Sequence, residues 1–305
     1  MTEPESEAHS EAIPAPMSAP MSAPMPELNS VPVTAVIFTL NEAVNLPHCL
    51  ASLARFDEVV IVDSFSTDET QAIAAEFGAS FYQNPFTGFG DQRNWALDNL
   101  SFRNDWLLIL DADECVTPDM ERELTQKIQS NPVVGAYQLR RRFYMWGRWL
   151  RYSSLYPTWV VRVIHRQRVR YENRGHSETQ TIEGKLASLE HDLIDENHKG
   201  IDEWFERQNR YASREAEYEL SFEQDPLPWG DVVSSDALVR RHALKRLSWR
   251  IPARAIVYFF YAYLLRLGFL DGIAGYRFCL MKAAYQHTIV VKKAELLANR
   301  EAENV

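Results

Sequence analysis

Three carboxylates follow an apolar run in the stretch LLILDADECV, which extends from Leu107 to Val116. Asp111, Asp113 and Glu114 occupy three of four successive positions. Like charges this close raise each other's pKa unless a cation lies between them. The Asp-x-Asp spacing after a strand suits a hard divalent cation, Mg²⁺ or Mn²⁺, which prefers carboxylate oxygens and keeps positions open for phosphate oxygens. By spacing alone, a second interpretation stays open, in which these carboxylates cap a helix.

Two other residues have side chains suited to binding a nucleoside diphosphate, one at its base or ribose and one at its diphosphate. Asp63 ends the apolar segment EVVIVD, where an acid can accept hydrogen bonds from a nucleotide base or ribose. Arg93 lies near the start of a predicted helix in GFGDQRNWAL and is the first choice for a diphosphate contact. The sequence has neither the glycine pattern of dinucleotide-binding enzymes after its first strand nor a P-loop, which disfavours both of those classes.

The elements that must position these residues alternate between strand and helix. An apolar, β-rich run predicts each strand, and helical patterns lie between the strands, one of them opened by a capping box of Ser66 and Glu69. The predicted strands are Val33–Phe38, Glu58–Asp63, Ser80–Tyr82 and Trp106–Leu110. This order predicts an α/β fold with a mostly parallel sheet and helices on both faces. Ligands bind beyond the carboxyl ends of such strands, so the acids should meet at one rim.

The pattern changes after Gly135, where segments dense in aromatic residues and arginine predict an antiparallel extension of the sheet. A long helix is predicted from Ile201 to Leu220, and two or three basic amphipathic helices follow from Ala237. The predicted organisation is a disordered Pro/Ala/Met-rich leader at 1–30, an α/β half at 31–142, a half rich in aromatic residues and arginine at 143–236 and a basic amphipathic helical tail at 237–305.

Charge and composition restrict the partners. A formal net charge of -10 disfavours nucleic acid. From Ala237 to Lys293, however, eleven Lys or Arg accompany a single acid, Asp271, which favours an anionic membrane surface as the partner of the C-terminal helices. The apolar run from Ala255 to Leu265 is too short to span a bilayer, so peripheral contact is expected. Three widely spaced cysteines and an N-terminus unlike a secretory signal predict a cytoplasmic protein.

Several motifs together resemble the family 2 glycosyltransferases, which have the GT-A fold. The resemblance rests on TLNEAVNLPHCLASL, EVVIVDSFSTDET, GFGDQRNWAL and LLILDADE. It continues in YPTWVVRVI, NRYASREA and LLRLGFLDGIAGYRF, which are similar to the lipopolysaccharide core and β-glucosyltransferase branch. The resemblance covers roughly residues 31–297, and it implies that 31–142 is a nucleotide-sugar-binding half and 143–236 an acceptor-side half.

This resemblance implies a role for each residue of the rim. Thr39, Glu42 and Asp63 would contact the nucleotide of a sugar donor, and Arg93 would lie near its diphosphate. Asp111 and Asp113 would match the family's D-x-D motif and bind the metal, with Asp113 as the more direct ligand. Family members with this motif invert the anomeric configuration, which requires a side-chain base for the acceptor hydroxyl.

The identity of that base stays open at the level of sequence. Glu178, in GHSE, lies where many relatives carry a His-Glu pair, but Ser177 intervenes here, which leaves the roles of His176 and Glu178 open. Glu114, directly after the D-x-D motif, is a second choice, and Asp113 itself belongs to the predicted catalytic set. His176 is also a possible additional metal or diphosphate ligand.

The expected activity is inverting, metal-dependent transfer of a hexose, with glucose from UDP-glucose as the first choice, to a lipopolysaccharide core or other glycolipid. The enzyme would work on the inner face of the cytoplasmic membrane. Two alternatives remain: nucleotidyl transfer on the same broad fold, disfavoured because TLNEAVNLP has no Gly, Lys or Arg to grip a triphosphate, and a non-catalytic sugar-nucleotide or membrane-docking module. The sequence leaves open the donor sugar, the linkage, the preferred metal and the oligomeric state.

Overall fold

The computed structural model describes residues 30–130, 133–174, 177–222, 225–226, 229–251 and 253–303. Residues 31–305 form one compact unit. The predicted leader, residues 1–30, lies outside the described residues except for its last position. The predicted subdivision of the remainder stays a prediction.

A ten-stranded mixed sheet forms the centre of the molecule, and a separate hairpin lies beside it. The strands are β1 (Val31–Thr39), β2 (Phe56–Asp63), β3 (Ser80–Gln83), β4 (Trp106–Asp111), β5 (Glu114–Cys115), β6 (Val134–Met145), β7 (Arg148–Trp149), β8 (Thr158–His165), β9 (Val169–Arg174), β10 (Ser177–Ile182), β11 (Lys185–Ser188) and β12 (Leu193–Glu196). The path through the main sheet is β3-β2-β1-β4-β8-β6-β12-β5, with β7 and β11 also paired to β6, and β9 and β10 form the hairpin.

Eight α-helices accompany these strands in the described residues. They are α1 (Leu46–Ala51), α2 (Thr70–Glu76), α3 (Phe89–Asn99), α4 (Pro118–Ser130), α5 (Ile201–Ser221), α6 (Ala237–Ser248), α7 (Arg254–Phe260) and α8 (Gly272–Glu303). A π-helical turn at Tyr261–Leu265 and a 3₁₀ turn at Gly268–Asp271 connect α7 to α8.

Strands β1 to β4 form the parallel part of the sheet, as predicted. Thr39 at the end of β1 pairs with Asp63 at the end of β2, and Phe38 pairs with Asp111 at the end of β4. Because parallel strands end at the same edge, this register brings three predicted site residues, Thr39, Asp63 and Asp111, to one rim. The expected convergence of acids from separate strands is therefore confirmed for Asp63 and Asp111.

The antiparallel extension expected after Gly135 is also present. Strand β8 pairs antiparallel with both β4 and β6, and β12 runs parallel to β6. Strand β12 then pairs antiparallel with the short β5, which places Asp195 opposite Glu114. The extension thus returns a distant segment of the chain to the acidic motif.

Alternate residues of β4 pack on opposite faces of the sheet. Leu108 and Leu110 belong to an apolar cluster on one face, and Leu107 and Ile109 belong to a second cluster on the other face. All four are almost fully buried. A strand covered on both faces needs a continuous apolar run, which explains LLIL before the acidic motif.

The predicted capping box before α2 is wrong. The helix begins at Thr70 with Glu69 as its N-cap residue, and the N-cap side chain makes no capping hydrogen bond. Ser66 instead donates its hydroxyl to Asp63 and accepts the backbone N–H of Asn41 at 2.7 Å. Ser66 therefore holds the rim loop, defined as residues 64–69 between β2 and α2, and does not cap the helix. Asp68 instead accepts the Thr70 N–H at 3.0 Å.

The C-terminal helices pack against the long helix α5. Ala212 and Ala216 of α5 form a buried cluster with Tyr285 and Ile289 of α8. In the described part of the chain no single helix is long and apolar enough to cross a membrane. The segments Arg254–Leu265 and Gly268–Ala302, bent by 72° at their junction, reach that length and composition only as a pair.

Candidate active site

A cleft of about 640 Å³ opens at the carboxyl rim of the parallel strands. One wall comes from the ends of β1 and β4 and the start of α3. Residues of β6, α5 and α8 also line the cleft, and the loop before β8 adds Ser153 and Ser154. Five carboxylates of the described chain line it, and they are Glu42, Asp111, Asp113, Asp195 and Glu203.

Asp111 is held by two guanidinium groups at the edge of the cleft. Its Oδ1 accepts a hydrogen bond from Arg93 at 3.2 Å, and its Oδ2 accepts one from Arg162 at 2.6 Å. Burial opposes ionisation, but the charges of Arg162 and Arg93 outweigh it and lower the pKa of Asp111 to about 2. Asp111 is therefore an ionised carboxylate whose two oxygens are already engaged.

Glu114 lies behind Asp111 and Arg162 and does not line the cleft. The residue is fully buried, receives Arg162 at 2.7 Å and accepts the backbone N–H of Asp111 at 3.1 Å. Burial raises its pKa despite the attraction of Arg162. Glu114 fixes the turn that carries the D-x-D motif, and it has no exposed surface for a substrate.

Asp113 faces the cleft and is more loosely held. Its Oδ2 accepts the side-chain amide of Asn197 at 3.1 Å and lies 3.5 Å from Arg207. The backbone N–H of Glu196 donates to the Asp113 carbonyl at 2.9 Å, so β12 fixes this position as well. Asp113 is thus the member of the D-x-D motif with the greatest capacity for a ligand.

The donor set around Asp113 fits a hard divalent cation only in part. No group of three His, Cys, Asp or Glu suited to a metal occurs among the residues that the structure describes. Mg²⁺, however, is often held by one or two carboxylates with substrate phosphates and water completing the shell. Asp113 supplies one such carboxylate, and its charge also contributes to raising the pKa of Glu42 and Asp195, a repulsion that a cation would relieve.

Asp63 is buried and fully occupied by the protein. Its oxygens accept bonds from the Thr39 hydroxyl at 2.8 Å, the Ser66 N–H at 2.8 Å and the Gln83 amide at 3.3 Å, in addition to the Ser66 hydroxyl. Thr39 and Ser64 line the cleft beside it. Asp63 thus holds the loop at the end of β2 in place, and its contact with a nucleotide stays a prediction.

Glu42 is the third predicted nucleotide contact, and it lies in the cleft. Lys199 donates to it at 2.6 Å, and the side chain of Asn45 donates at 2.8 Å. Burial nevertheless raises the pKa of Glu42 to about 7, because it outweighs the attraction of Lys199. The residue links the loop after β1 to the segment after β12.

Arg93 is buried between aromatic rings and two acids. Its guanidinium lies 5.3 Å from the ring centroid of Phe38 and 5.8 Å from that of Phe89. It bonds Asp111 and lies 3.2 Å from Glu178 of the β9–β10 hairpin. Glu178 is thereby paired close to the rim, and His176 lies outside the described residues.

Asp195 is a cleft carboxylate that sequence reasoning missed. It lies on β12, and Arg141 approaches it to 2.9 Å. Burial raises the pKa of Asp195 to about 7 and outweighs the attraction of Arg141, with Asp113 and Glu114 adding to the rise. The available signal was the apolar start of LIDE, which ends in acids in the same way as β2 and β4.

Comparisons with known proteins identify the family of this chain. The family model described as glycosyl transferase family 2 matches residues 34–196, more than half of the chain. A lipopolysaccharide core biosynthesis glycosyltransferase, LpsC of Rhizobium meliloti, is 27% identical over 64% of this chain and 74% of its own length. An uncharacterized glycosyltransferase of Rickettsia felis is 39% identical over 30% of this chain and 32% of its own length.

Among solved structures, residues 1–349 of TarS of S. aureus align over 82% of this chain and 90% of their own length, with 16% identity and a TM-score of 0.40. The family match and the observed mixed sheet with helices on both faces confirm the expected GT-A fold class. They also favour glycosyl transfer over the nucleotidyl-transfer alternative. This chain belongs to glycosyl transferase family 2.

Proposed function

We propose that this glycosyltransferase transfers a hexose, with glucose from UDP-glucose as the first choice, to a lipopolysaccharide core or other glycolipid, with inversion at the anomeric carbon. One observation carries the proposal. Asp113 and Asp195 line the same cleft at the carboxyl rim. Asp113 is suited to a metal ion at the diphosphate of a donor, and Asp195 is suited to accept a proton from an acceptor hydroxyl. The similarity to LpsC supports a lipopolysaccharide acceptor.

The donor would bind along the β1–β4 wall. Thr39 and the loop held by Asp63 would contact the nucleotide, and Arg93 would lie near the diphosphate. Asp113 would hold a Mg²⁺ or Mn²⁺ ion, with Asp111 behind it as an ionised carboxylate fixed by arginine. When bound, such an ion offsets the negative charge of a departing diphosphate.

Asp195 is the general base in this proposal. Its carboxylate accepts the proton of an acceptor hydroxyl while that oxygen bonds to the anomeric carbon and the bond from that carbon to the diphosphate breaks. A base works best when its pKa lies near the operating pH, as the pKa of Asp195 does. Glu114 and Glu178, the bases considered from the sequence, instead hold Arg162 and Arg93 in place.

A peripheral membrane contact completes the proposal, and we assign it to the C-terminal elbow, defined as residues 254–280. Large apolar side chains are exposed along this segment, and they are Ile256, Val257, Phe260, Tyr261, Leu264, Leu265, Leu267, Phe269, Leu270, Ile273, Tyr276 and Leu280. Exposed apolar area of this extent is uncommon on a protein without a partner for it.

Charge distribution supports the same surface. Asp271, the elbow's acid, is buried and accepts the backbone N–H groups of Tyr152 and Ser153 at 3.0 and 2.8 Å. The exposed elbow therefore presents apolar and basic groups, a combination that favours an anionic bilayer. The basic helix α6 contributes less than expected, because Lys245 pairs with Glu215 and Arg246 with Asp225. A site on the inner face of the cytoplasmic membrane follows from this proposal.

The first experiment tests the donor and the base. Calorimetric titrations with UDP-glucose, UDP-galactose, UDP-N-acetylglucosamine and ADP-heptose, in Mn²⁺ and again in EDTA, should show metal-dependent binding of one donor. Asp195→Asn should keep that affinity but lower kcat at least about 100-fold, the usual contribution of a general base. Asp202→Asn, at an exposed position at the start of α5, is the matched control. Full activity in Asp195→Asn would remove Asp195 as the base.

A vesicle assay tests the membrane contact. The protein should sediment with vesicles that contain phosphatidylglycerol, and Leu265→Glu, at a side chain that is 77% exposed, should reduce the bound fraction at least tenfold. Val233→Glu introduces the same charge at an apolar side chain that is 84% exposed but lies outside the elbow, so it should bind as the unmodified protein does. A protein that stays in the supernatant at every lipid concentration would contradict the assignment.

A further inference from the structure

Lys282 of α8 is a cleft residue that the proposed reaction does not use. One turn earlier on the same helix, Phe278 packs on Phe143 of β6 with ring centroids 5.1 Å apart. In the following turn, Tyr285 packs into the cluster that α8 forms with α5. Lys282 therefore lies where β6, α5 and α8 meet in the lining of the cleft.

The surroundings of its ammonium group are basic. Burial, followed by the nearby charges of Arg141 and Arg207, lowers the pKa of Lys282 to about 8. In the described part of the chain no carboxylate pairs with Lys282, and its Nζ lies 4.8 Å from the ring centroid of Tyr285. Lys282 is partly buried in the cleft, and a partly desolvated cation without a counter-charge costs free energy that a chain normally avoids by pairing it.

The two neighbouring guanidinium groups are already neutralised by carboxylates of the protein. Arg141 is already paired with Asp195 at 2.9 Å, and Arg207 contacts Asp113 and Glu203. An anionic group that entered this corner would thus meet an unpaired ammonium backed by two fixed positive charges. Charge-assisted hydrogen bonds of this kind are about twice as strong as neutral ones.

We propose that Lys282 is the centre of an anion subsite that holds a carboxylate or phosphate group of the acceptor saccharide. This inference rests on the proposed glycosyl transfer. The donor nucleotide would bind along the ends of β1 and β4 beside Arg93, and we therefore assign an anion at Lys282 to the other substrate. The subsite would select acidic or phosphorylated sugars over neutral ones and would orient the acceptor hydroxyl toward Asp195.

Calorimetry with simple probes tests the subsite without a transfer assay. With UDP and Mn²⁺ present at saturation, the protein is titrated with glucuronate, with glucose 6-phosphate and with methyl β-glucoside. We expect at least one of the two anionic sugars to bind at least tenfold more tightly than the neutral one, and the two anionic sugars together distinguish a carboxylate site from a phosphate site. Lys282→Met should reduce the preference to twofold or less, whereas Lys282→Arg should retain it.

Matched measurements separate the possible failures. Lys292→Met, on the same helix but outside the cleft lining, should keep the preference, and thermal melts should show that every variant is folded. Equal binding of the three sugars, or undetectable binding of all three, would overturn the subsite. A tenfold loss of UDP affinity in Lys282→Met with an unchanged preference for anionic sugars would also overturn it, since the amine would then serve the donor. Failure of every donor to bind would instead contradict the proposed transfer.

Discussion

The buried ion pair between Arg254 and Glu219 allows a quantitative test of what holds the C-terminal helices in place. The Arg254 Nη1 lies 2.7 and 2.9 Å from the two carboxylate oxygens of Glu219, and both residues are at least 95% buried. Burial raises the pKa of Glu219, and Arg254 counteracts that rise. Arg254→Met removes the counter-charge while keeping most of the side-chain volume, so Glu219 must either stay charged in the interior or take up a proton.

Protonation of Glu219 sets the upper limit of the free energy of unfolding that Arg254→Met can lose. The ordinary glutamate pKa is 4.5, and each pH unit above it costs 1.36 kcal/mol of protonation free energy. At pH 7.5 the cost is therefore about 4 kcal/mol, within the roughly 3–5 kcal/mol found when one partner of a buried pair is removed. At pH 5.5 it falls to about 1.4 kcal/mol. The sign follows because the folded-state pKa in the variant lies above the unfolded value, so stability is lost as pH rises.

Urea unfolding at both pH values measures this difference, with Trp204 on α5 as a buried fluorescence probe. Arg246→Met removes a surface pair with Asp225, whose side chain is 49% exposed, and should cost at most about 1 kcal/mol at either pH. The double variant Arg254→Met with Glu219→Gln should recover most of the loss at pH 7.5. A loss of stability that is the same at both pH values, or one no larger than that of Arg246→Met, would show that Glu219 does not depend on Arg254 as its counter-charge.

Three further predictions address the sheet, the rim and helix α4. Gly135→Ala should lower the free energy of unfolding by about 1–3 kcal/mol in urea titrations, because its Cβ would lie 2.2 Å from the carbonyl oxygen of residue 183, whereas Gly230→Ala has open space and should change little. Asp63→Ala should weaken UDP binding at least tenfold by calorimetry, because the rim loop loses its acceptor, and Asp98→Ala at the surface should not. Glu123→Gln should destabilise the protein by about 1–3 kcal/mol at pH 7. Burial raises the pKa of Glu123, but hydrogen bonds from backbone N–H groups outweigh it and lower the pKa. The loss of stability should therefore disappear as the pH falls to the range where the wild-type carboxylate takes up its proton. An unchanged free energy of unfolding in Gly135→Ala, an unchanged UDP affinity in Asp63→Ala, or a pH-independent loss of stability in Glu123→Gln would contradict the respective prediction.

Local patterns in the sequence determined the parallel half of the fold and its rim. Each apolar run could be assigned to a strand because a strand buried on both faces needs continuous apolar residues, and the polar residue that ends it must then lie at the carboxyl edge. Thr39, Asp63 and Asp111 could be placed together for this reason, since parallel strands share that edge. The capping box at Ser66 failed because the same serine had a tertiary partner, Asp63, that local pattern did not reveal.

The contacts that surround the acidic motif come from distant parts of the chain, which local patterns do not reveal. Arg162 reaches Asp111 across 51 positions of sequence, and Asn197 reaches Asp113 across 84. Asp195 meets the acidic motif because β12 pairs with β5, and Lys282 enters the cleft because α8 packs on α5. Such contacts depend on strand order and helix packing rather than on local periodicity. Local sequence therefore predicted the rim of the parallel strands, whereas long-range packing placed Asp195, the arginines that hold Asp111, and Lys282.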